Sequence, residues 1–177
     1  KQDHVSQLRV DHAMTGQRVV RLKSGDCGMF GRLEEEILAL RAAGIGYEII
    51  PGVTSASAAA AAAGIPLTRR LSARRVQFVT GADVTGGLPS ATNMAALADP
   101  MATTVVYMGR RTFAALAEQL IAAGLPPDTP ALLAEAVSTP EQTLSRHTVS
   151  GLVAHLATTI SLLPALIFYG PLAEFDQ

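Results

Sequence analysis

Residues 103–121 of the chain have the sequence TTVVYMGRRTFAALAEQLI. The segment begins with the β-branched and aromatic run that is typical of a strand, and it turns at Met108 and Gly109. Apolar residues then recur three and four positions apart, at Phe113, Leu116 and Leu120, as they do on one face of a helix. A strand, a glycine turn and a helix in succession are typical of proteins in which helices cover a sheet.

The same alternation of strand and helix continues on both sides of this segment. Strands are predicted at 18–22, 47–50, 76–80, 103–107, 130–135 and 164–169. Helices are predicted at 5–13, 33–40, 56–63, 113–121 and 152–156. Gly44 is expected to cap the second of these helices at its carboxyl end. The pattern predicts an α/β fold in which helices surround a largely parallel sheet.

The composition is that of a folded globular chain. Of its 177 residues 49% are hydrophobic and 16% are charged, so the chain buries enough apolar surface to offset the loss of chain entropy. The 14 Lys and Arg nearly balance the 15 Asp and Glu, which leaves a formal charge of −1. This balance lacks the basic excess that favours nucleic acid or an anionic membrane, so neither is expected as a partner. The most apolar run, 160–172, is interrupted by prolines and predicts no membrane-spanning helix.

Cysteine and histidine usage excludes several kinds of site. The single cysteine, Cys27, excludes an intramolecular disulfide and a zinc site built from cysteines, and it suits the reducing cytoplasm. The four histidines lie in pairs eight residues apart, His4 with His12 and His147 with His155. That is not a usual spacing for metal ligands, so we expect surface histidines and no metal.

Four arginines crowd into seven positions after the alanine-rich segment: Arg69, Arg70, Arg74 and Arg75. We place the domain boundary here, between a first domain at 1–70 and a second domain at 75–177. The guanidinium groups are suited to bind the carboxylates of an anionic ligand, and a solvated hinge is an equally good interpretation. RNA binding is less well supported, because the cluster holds no aromatic residue that stacks on a base.

Glycine follows the predicted strands with unusual regularity. Gly25, Gly52, Gly81, Gly109 and Gly170 each come directly after a strand or within a few residues of it. In open α/β sheets a ligand binds beyond the carboxyl ends of the strands, where glycine lets it approach the backbone. A turn is explanation enough for one such glycine, but five together predict a ligand cleft.

Polar side chains lie in two of these glycine turns. Asp26 either accepts hydrogen bonds from a ligand such as a ribose or is solvated in its turn. Thr54 and Ser55 precede the alanine helix and either contact a ligand carboxylate or only cap the helix, and capping alone is favoured. The sequence contains none of the short motifs of P-loop proteins, dinucleotide-binding domains, serine hydrolases or zinc proteases.

Several of these segments occur together in one known family. They are RVVRLKSGD at 18–26, FGR at 30–32 with EE at 34–35, IPGVTS at 50–55, GIPLT at 64–68, VTG at 79–81 and VYMG at 106–109. In this order and spacing the chain resembles the tetrapyrrole methylases over nearly all of residues 2–171. Each motif is weak alone, and the combination is specific.

The resemblance implies two α/β domains with a cofactor cleft between them, the first domain being truncated. It implies an enzyme of the branch that methylates uroporphyrinogen III, in which S-adenosylmethionine methylates two ring carbons and gives precorrin-2 for sirohaem or cobalamin. The family's cofactor contacts fall on Ser24, Gly25, Asp26, Met29, Thr54, Ser55, Met108, Ala136 and Val137. Contacts with the tetrapyrrole substrate are placed at Arg69 and Arg70. A homodimer in the cytoplasm is also implied.

The sequence departs from the family pattern at several positions. Ser24 replaces a glycine and Cys27 a proline of the cofactor loop, Val137 replaces a glycine, and Arg69 and Ala82 replace histidines. The family's glycine-rich opening loop, with the aspartate and lysine proposed there as acid and base, has no counterpart in this sequence, so no catalytic residue is assigned. Two alternatives stay open. One is a methyltransferase of the same fold for another corrin intermediate or an RNA ribose, and the other is a non-catalytic dimerising remnant.

Overall fold

A computed structural model describes residues 2–173 of the chain. Its contacts divide the chain into two compact units, Lys1–Thr54 and Ser55–Gln177, which we call the first unit and the second unit. The alanine helix belongs to the second unit because it packs on a strand there. The division therefore falls before the arginine cluster. The domain organisation expected from the sequence, 1–70 and 75–177, stays a prediction.

The first unit contains two helices that pack against each other, α1 (Gln2–Met14) and α2 (Leu33–Ala42). Both were expected, but the predicted strands at 18–22 and 47–50 are wrong, because neither pairs with a strand within the described residues. A strand needs a neighbour to satisfy its backbone hydrogen bonds, and an apolar sequence pattern does not supply one. Leu22 and Ile50 are accordingly 81% and 68% exposed.

The second unit begins with helix α3 (Ser55–Ala62), the predicted alanine helix. It continues through β1 (Arg75–Thr80), α4 (Met94–Leu97), β2 (Ala102–Tyr107), α5 (Phe113–Ala122), β3 (Pro130–Glu135), β4 (Thr143–Thr148), α6 (Val149–Thr158) and β5 (Ala165–Tyr169). The five strands form one sheet in the order β1-β2-β5-β3-β4. The predicted α/β fold is confirmed.

The expectation of a largely parallel sheet is wrong. Only β1 and β2 are parallel among the described pairs, whereas β5 runs antiparallel to both β2 and β3, and β4 runs antiparallel to β3. The sequence does not reveal this because β5 is almost wholly buried and so has the continuous apolar pattern of a parallel strand. As a result, β2 and β3 point in the same direction on either side of β5.

Strand β4 is not predicted by the sequence. Its residues read TLSRHT and include one apolar side chain, so they lack the alternation by which a strand is recognised. It forms an edge of the sheet, where one side of the strand faces away from other strands and polar residues are tolerated.

The core of the second unit lies between the sheet and helices α4, α5 and α6. Its largest fully buried members are Phe113, Leu116, Leu120, Leu125, Leu133, Leu152, Ile167 and Tyr169. The apolar face predicted for 113–121 is therefore the face of α5 that packs in the core. None of the described helices is long and apolar enough to span a membrane.

Gly44 caps the carboxyl end of helix α2, as predicted. Gly44 has a φ of +67°, its N–H donates to the carbonyl of Arg41 at 3.0 Å, and the N–H of Ile45 donates to that of Leu40 at 2.9 Å. This pair of bonds is the Schellman motif, which favours glycine because other residues are strained at positive φ.

Candidate functional site

In the first unit, the aspartate of the predicted cofactor loop joins two turns of the chain. One carboxylate oxygen of Asp26 accepts a hydrogen bond from the N–H of Gly28 at 2.8 Å, and the other accepts one from the N–H of Gly52 at 3.0 Å. A Cβ atom at Gly52 would collide with the carbonyl oxygen of Gly25, so glycine is required for this approach. The two glycine turns that the sequence singled out thus lie in contact.

The other predicted contacts of this loop surround Asp26. Ser24 and Gly25 are exposed, and Met29 is half-buried with its N–H directed to the carbonyl of Asp26 at 3.3 Å. Each oxygen of Asp26 has one described hydrogen bond, and a carboxylate oxygen accepts two. Asp26 therefore shapes the loop and retains acceptor capacity for a ligand.

The base of this loop is held by a buried carboxylate that the sequence analysis missed. Glu36 of α2 is 2% exposed and lies among three cationic side chains. Its oxygens are 3.1 Å from the guanidinium of Arg9, 3.5 Å from that of Arg21 and 3.2 Å from the ammonium of Lys23. The ammonium of Lys23 also donates to the carbonyl of Gly31. The helix dipole favours three consecutive glutamates in the first turn of α2, and nothing in their spacing marks Glu36 as buried.

A shallow depression of about 570 Å³, open to solvent, lies beside α2 in the first unit. Its walls include Phe30, Leu33 and Leu38 together with Arg32 and Arg41. The guanidinium of Arg32 donates to both carboxylate oxygens of Glu35, at 2.7 and 2.6 Å. This contact lowers the pKa of Glu35, an exposed side chain.

In the second unit, the hydroxyl of Tyr107 lies at the amino end of α3. It accepts a hydrogen bond from the N–H of Ala56 at 3.2 Å. Tyr107 is the last residue of β2 and Met108 follows it, while Ser55 is the first residue of α3. The hydrogen bond therefore brings two predicted cofactor contacts, Ser55 and Met108, to the same end of the sheet. Thr54, the last residue of the first unit, directly precedes Ser55.

The turns after β2 and β3 have an unusual backbone. Met108 has a φ of +54°, Ala136 of +45° and Ser138 of +69°, values that side chains other than glycine rarely adopt. Such strain clusters at functional sites, because the surrounding structure must hold it in place. Met108 is 54% exposed, Ala136 is buried and Val137 is half-buried. Three predicted contacts thus lie in two strained turns at the same end of the sheet.

The arginine cluster does not form a single site. Arg75 is paired with Asp99, and the guanidinium of Arg74 donates to the carbonyl of Arg70 at 2.8 Å. Arg69 and Arg70, the predicted substrate contacts, are exposed.

The sequence predicts that all four histidines lie at the surface, and two of them do. His4 and His12 are exposed as expected, but His147 and His155 are half-buried and their rings are in contact, with centroids 4.7 Å apart and planes inclined by 35°. The residues lie on β4 and α6, which pack together, so the tertiary fold joins them. Within residues 2–173 no group of three His, Cys, Asp or Glu side chains is arranged to hold a metal ion.

The sequence profile of one family, the tetrapyrrole (corrin/porphyrin) methylases, matches residues 1–153. The chain belongs to the tetrapyrrole methylases. Its residues are 43% identical over 176 positions to a siroheme synthase of Psychrobacter, covering 99% of this chain and 36% of that protein. They are 41% identical to a chloroplastic S-adenosyl-L-methionine-dependent uroporphyrinogen III methyltransferase of Arabidopsis thaliana, covering 99% of this chain and 47% of that protein.

Solved structures agree with this membership. Uroporphyrin-III C-methyl transferase from Thermus thermophilus, complexed with S-adenyl homocysteine, superposes with a TM-score of 0.80 at 35% identity. The match covers 96% of this chain and 73% of the Thermus chain. The family resemblance and the tetrapyrrole-methylase fold predicted from the sequence are thereby confirmed. This chain spans about a third of the Psychrobacter protein and about half of the Arabidopsis protein.

Proposed function

We propose that this chain is the part of a uroporphyrinogen-III C-methyltransferase that binds S-adenosylmethionine and tetrapyrrole. The reaction moves methyl groups to two ring carbons of uroporphyrinogen III and gives precorrin-2 for sirohaem or cobalamin synthesis. The observation that carries the proposal is the 35% identity, over 96% of this chain, to a Thermus methyltransferase complexed with S-adenyl homocysteine. The names of the Psychrobacter and Arabidopsis relatives support the same reaction.

The first unit contributes a loop suited to a nucleoside. In the proposal, Ser24, Gly25, Asp26 and Met29 contact the cofactor. The carboxylate of Asp26 is fixed by two backbone N–H groups and still accepts hydrogen bonds from a ribose diol. Gly25, exposed and with a φ of +70°, lets the ligand approach the backbone.

The second unit contributes the turns after β2 and β3 and the amino end of α3. Thr54, also a proposed cofactor contact, directly precedes this helix in the sequence. The amino end of α3 at Ser55 favours a carboxylate such as that of the methionine part of the cofactor. The turns at Met108 and Ala136, with Val137, place left-handed backbone directly after β2 and β3. These features fit S-adenosylmethionine, which carries both a polar amino-acid end and a nucleoside.

The chemistry requires binding and orientation more than covalent catalysis. When bound, S-adenosylmethionine supplies an activated methyl group, so the protein contributes mainly alignment of the donor with the accepting carbon. The exposed guanidinium groups of Arg69 and Arg70 are proposed to bind carboxylates of the macrocycle. No residue of this chain is assigned as the base that takes the proton from the ring. We further propose that the enzyme acts as a homodimer in the cytoplasm.

Calorimetric titration of the chain with S-adenosylhomocysteine tests the proposal. The wild-type chain should bind, and Asp26→Ala should abolish binding. Asp83→Ala is the matched control, because Asp83 also accepts backbone hydrogen bonds in an exposed turn, from Thr85 at 2.8 Å and Gly87 at 3.1 Å. The control should bind as the wild type does. A folded wild-type chain that does not bind, or an Asp26→Ala variant that binds equally well, would contradict the proposal.

A further inference from the structure

We propose that Arg110 and Glu135 are positioning residues for the cofactor, because their ion pair fixes the spacing of the turns after β2 and β3. The inference rests on the proposed function, since it assumes that these turns contact S-adenosylmethionine. Neither residue was singled out by the sequence, where Arg110 follows the VYMG motif and Glu135 ends an apolar strand.

The pair is enclosed and has several partners. A guanidinium nitrogen of Arg110 contacts a carboxylate oxygen of Glu135, and the side chains are only 14% and 11% exposed. The other terminal nitrogen of Arg110 donates to the carbonyl of Thr159 at 3.1 Å. Arg110 therefore joins the segment before β5 to the end of β3. Charged side chains buried to this degree are held firmly, because separating them leaves a charge with little access to water.

The topology explains why such a connection matters. Leu166 of β5 is the register partner of both Tyr107 in β2 and Ala134 in β3. The turns after β2 and β3 therefore flank the start of β5, about 10 Å apart at two strand spacings. No backbone ladder joins β2 to β3 directly, since β5 lies between them. The Arg110–Glu135 pair bridges this gap with side chains.

The two residues are also adjacent to the strained turns. Arg110 lies two positions after Met108, whose φ is +54°, and Glu135 directly precedes Ala136, whose φ is +45°. Strained backbone persists only where its surroundings restrict it. An ion pair that anchors both turns supplies that restriction. Holding the turns in their binding geometry before the ligand arrives raises affinity, because less ordering remains to be done on binding.

The test compares four variants of the whole chain by calorimetry with S-adenosylhomocysteine. Arg110→Met and Glu135→Gln should each weaken binding about tenfold, and the double variant should be no weaker than either single one, since all three break the same connection. Arg110→Lys keeps the charge and should recover most of the affinity. The amide chemical shifts of Met108 and Ala136 should move in both Arg110→Met and Glu135→Gln before ligand is added.

Arg75→Met is the control, because it breaks the more exposed Arg75–Asp99 pair of the same sheet. It should leave the affinity unchanged. Folded Arg110→Met or Glu135→Gln variants with wild-type affinity would overturn the inference and leave the proposed function standing. Variants that lose thermal stability but keep wild-type affinity would also overturn the inference, because the ion pair would then have only a structural role. If Arg110→Met fails to fold, the affinities of Glu135→Gln and Arg110→Lys for S-adenosylhomocysteine test the inference instead. A folded wild-type chain that does not bind would overturn the proposed function and this inference together.

Discussion

The two units of the chain are stabilised in opposite ways. Among described residues 4–54 of the first unit the buried ones are Ser6 and Glu36, both polar. The second unit buries a large apolar core that includes Phe113 and Tyr169, each fully inaccessible. The first unit leaves apolar side chains such as Leu22, 81% exposed, in contact with solvent.

This difference indicates that the units resist unfolding to different degrees. Buried apolar area contributes roughly 25 cal/mol per Å², and the second unit collects it in one contiguous cluster. The first unit depends on a few charged and polar contacts, each of which costs desolvation to form. We therefore expect amides of β2 and β5 to exchange only on global unfolding and amides of α1 and α2 to exchange through local opening.

The largest effect is expected from Phe113→Ala. Phe113 is fully buried in the core of the second unit, so its loss should lower the free energy of unfolding by about 4 kcal/mol through lost burial and a cavity. Denaturant titration followed by circular dichroism measures this. Phe30→Ala in the first unit is the matched control: Phe30 is 40% exposed, and the same truncation should cost about 1 kcal/mol or less. Equal losses in the two variants would contradict the comparison.

Glu36→Gln should have the next largest effect, confined to the first unit. It removes the charge that Arg9 and Lys23 face while both remain nearly buried, at 11% and 13% exposed, and we expect a local loss of about 3 kcal/mol. Hydrogen exchange should show faster exchange in α2 and in the loop at 23–31, with β2 and β5 unchanged.

Glu35→Gln is the control for this variant. Glu35 is the neighbouring carboxylate and its pairing with Arg32 is exposed to solvent, so little change in exchange is expected. If Glu36→Gln also accelerated exchange in the sheet, the two units would not be independent in stability.

A smaller effect is expected from Tyr107→Phe. The change removes the hydroxyl that accepts the N–H of Ala56, at a cost of about 1 kcal/mol. The amide of Ala56 should exchange faster, and binding of S-adenosylhomocysteine should weaken because the start of α3 is no longer fixed beside Met108. Tyr47→Phe, which removes an exposed hydroxyl of the first unit, serves as the control and should change neither quantity. Unchanged exchange at Ala56 in Tyr107→Phe would refute this role.

The smallest effect is a pH dependence in the second unit. Burial and the nearby charge of His155 lower the pKa of His147 from its ordinary value of 6.5. The unfolded chain then binds the proton more readily than the folded chain, so the thermal midpoint should fall as the pH drops below about 6.5. His155→Gln removes the charge and should return the pKa of His147 part of the way, as followed by NMR titration. A His147→Gln variant with the same pH dependence as the wild type would exclude this origin.

Much of the second unit was predictable from local sequence. The strand at 103–107 and the helix at 113–121 are dictated by β-branched runs and three- and four-residue spacing, which act within a few residues. The same reasoning wrongly predicted strands at 18–22 and 47–50. Strand formation depends on a neighbouring strand with which to pair, and a local sequence pattern does not show whether that neighbour exists. It also missed β4, an edge strand of polar residues.

The sequence by itself determined the α/β class, the family and the positions of five of the six described helices, because these depend on spacing, turn chemistry and ordered motifs. Only the tertiary structure decided that β5 lies antiparallel between β2 and β3, that Glu36 is buried among cations, and that His147 meets His155. It alone brought Arg110 to Glu135 across β5. These contacts join residues distant in the chain, and their energies depend on burial and distance, which exist only once the chain has folded.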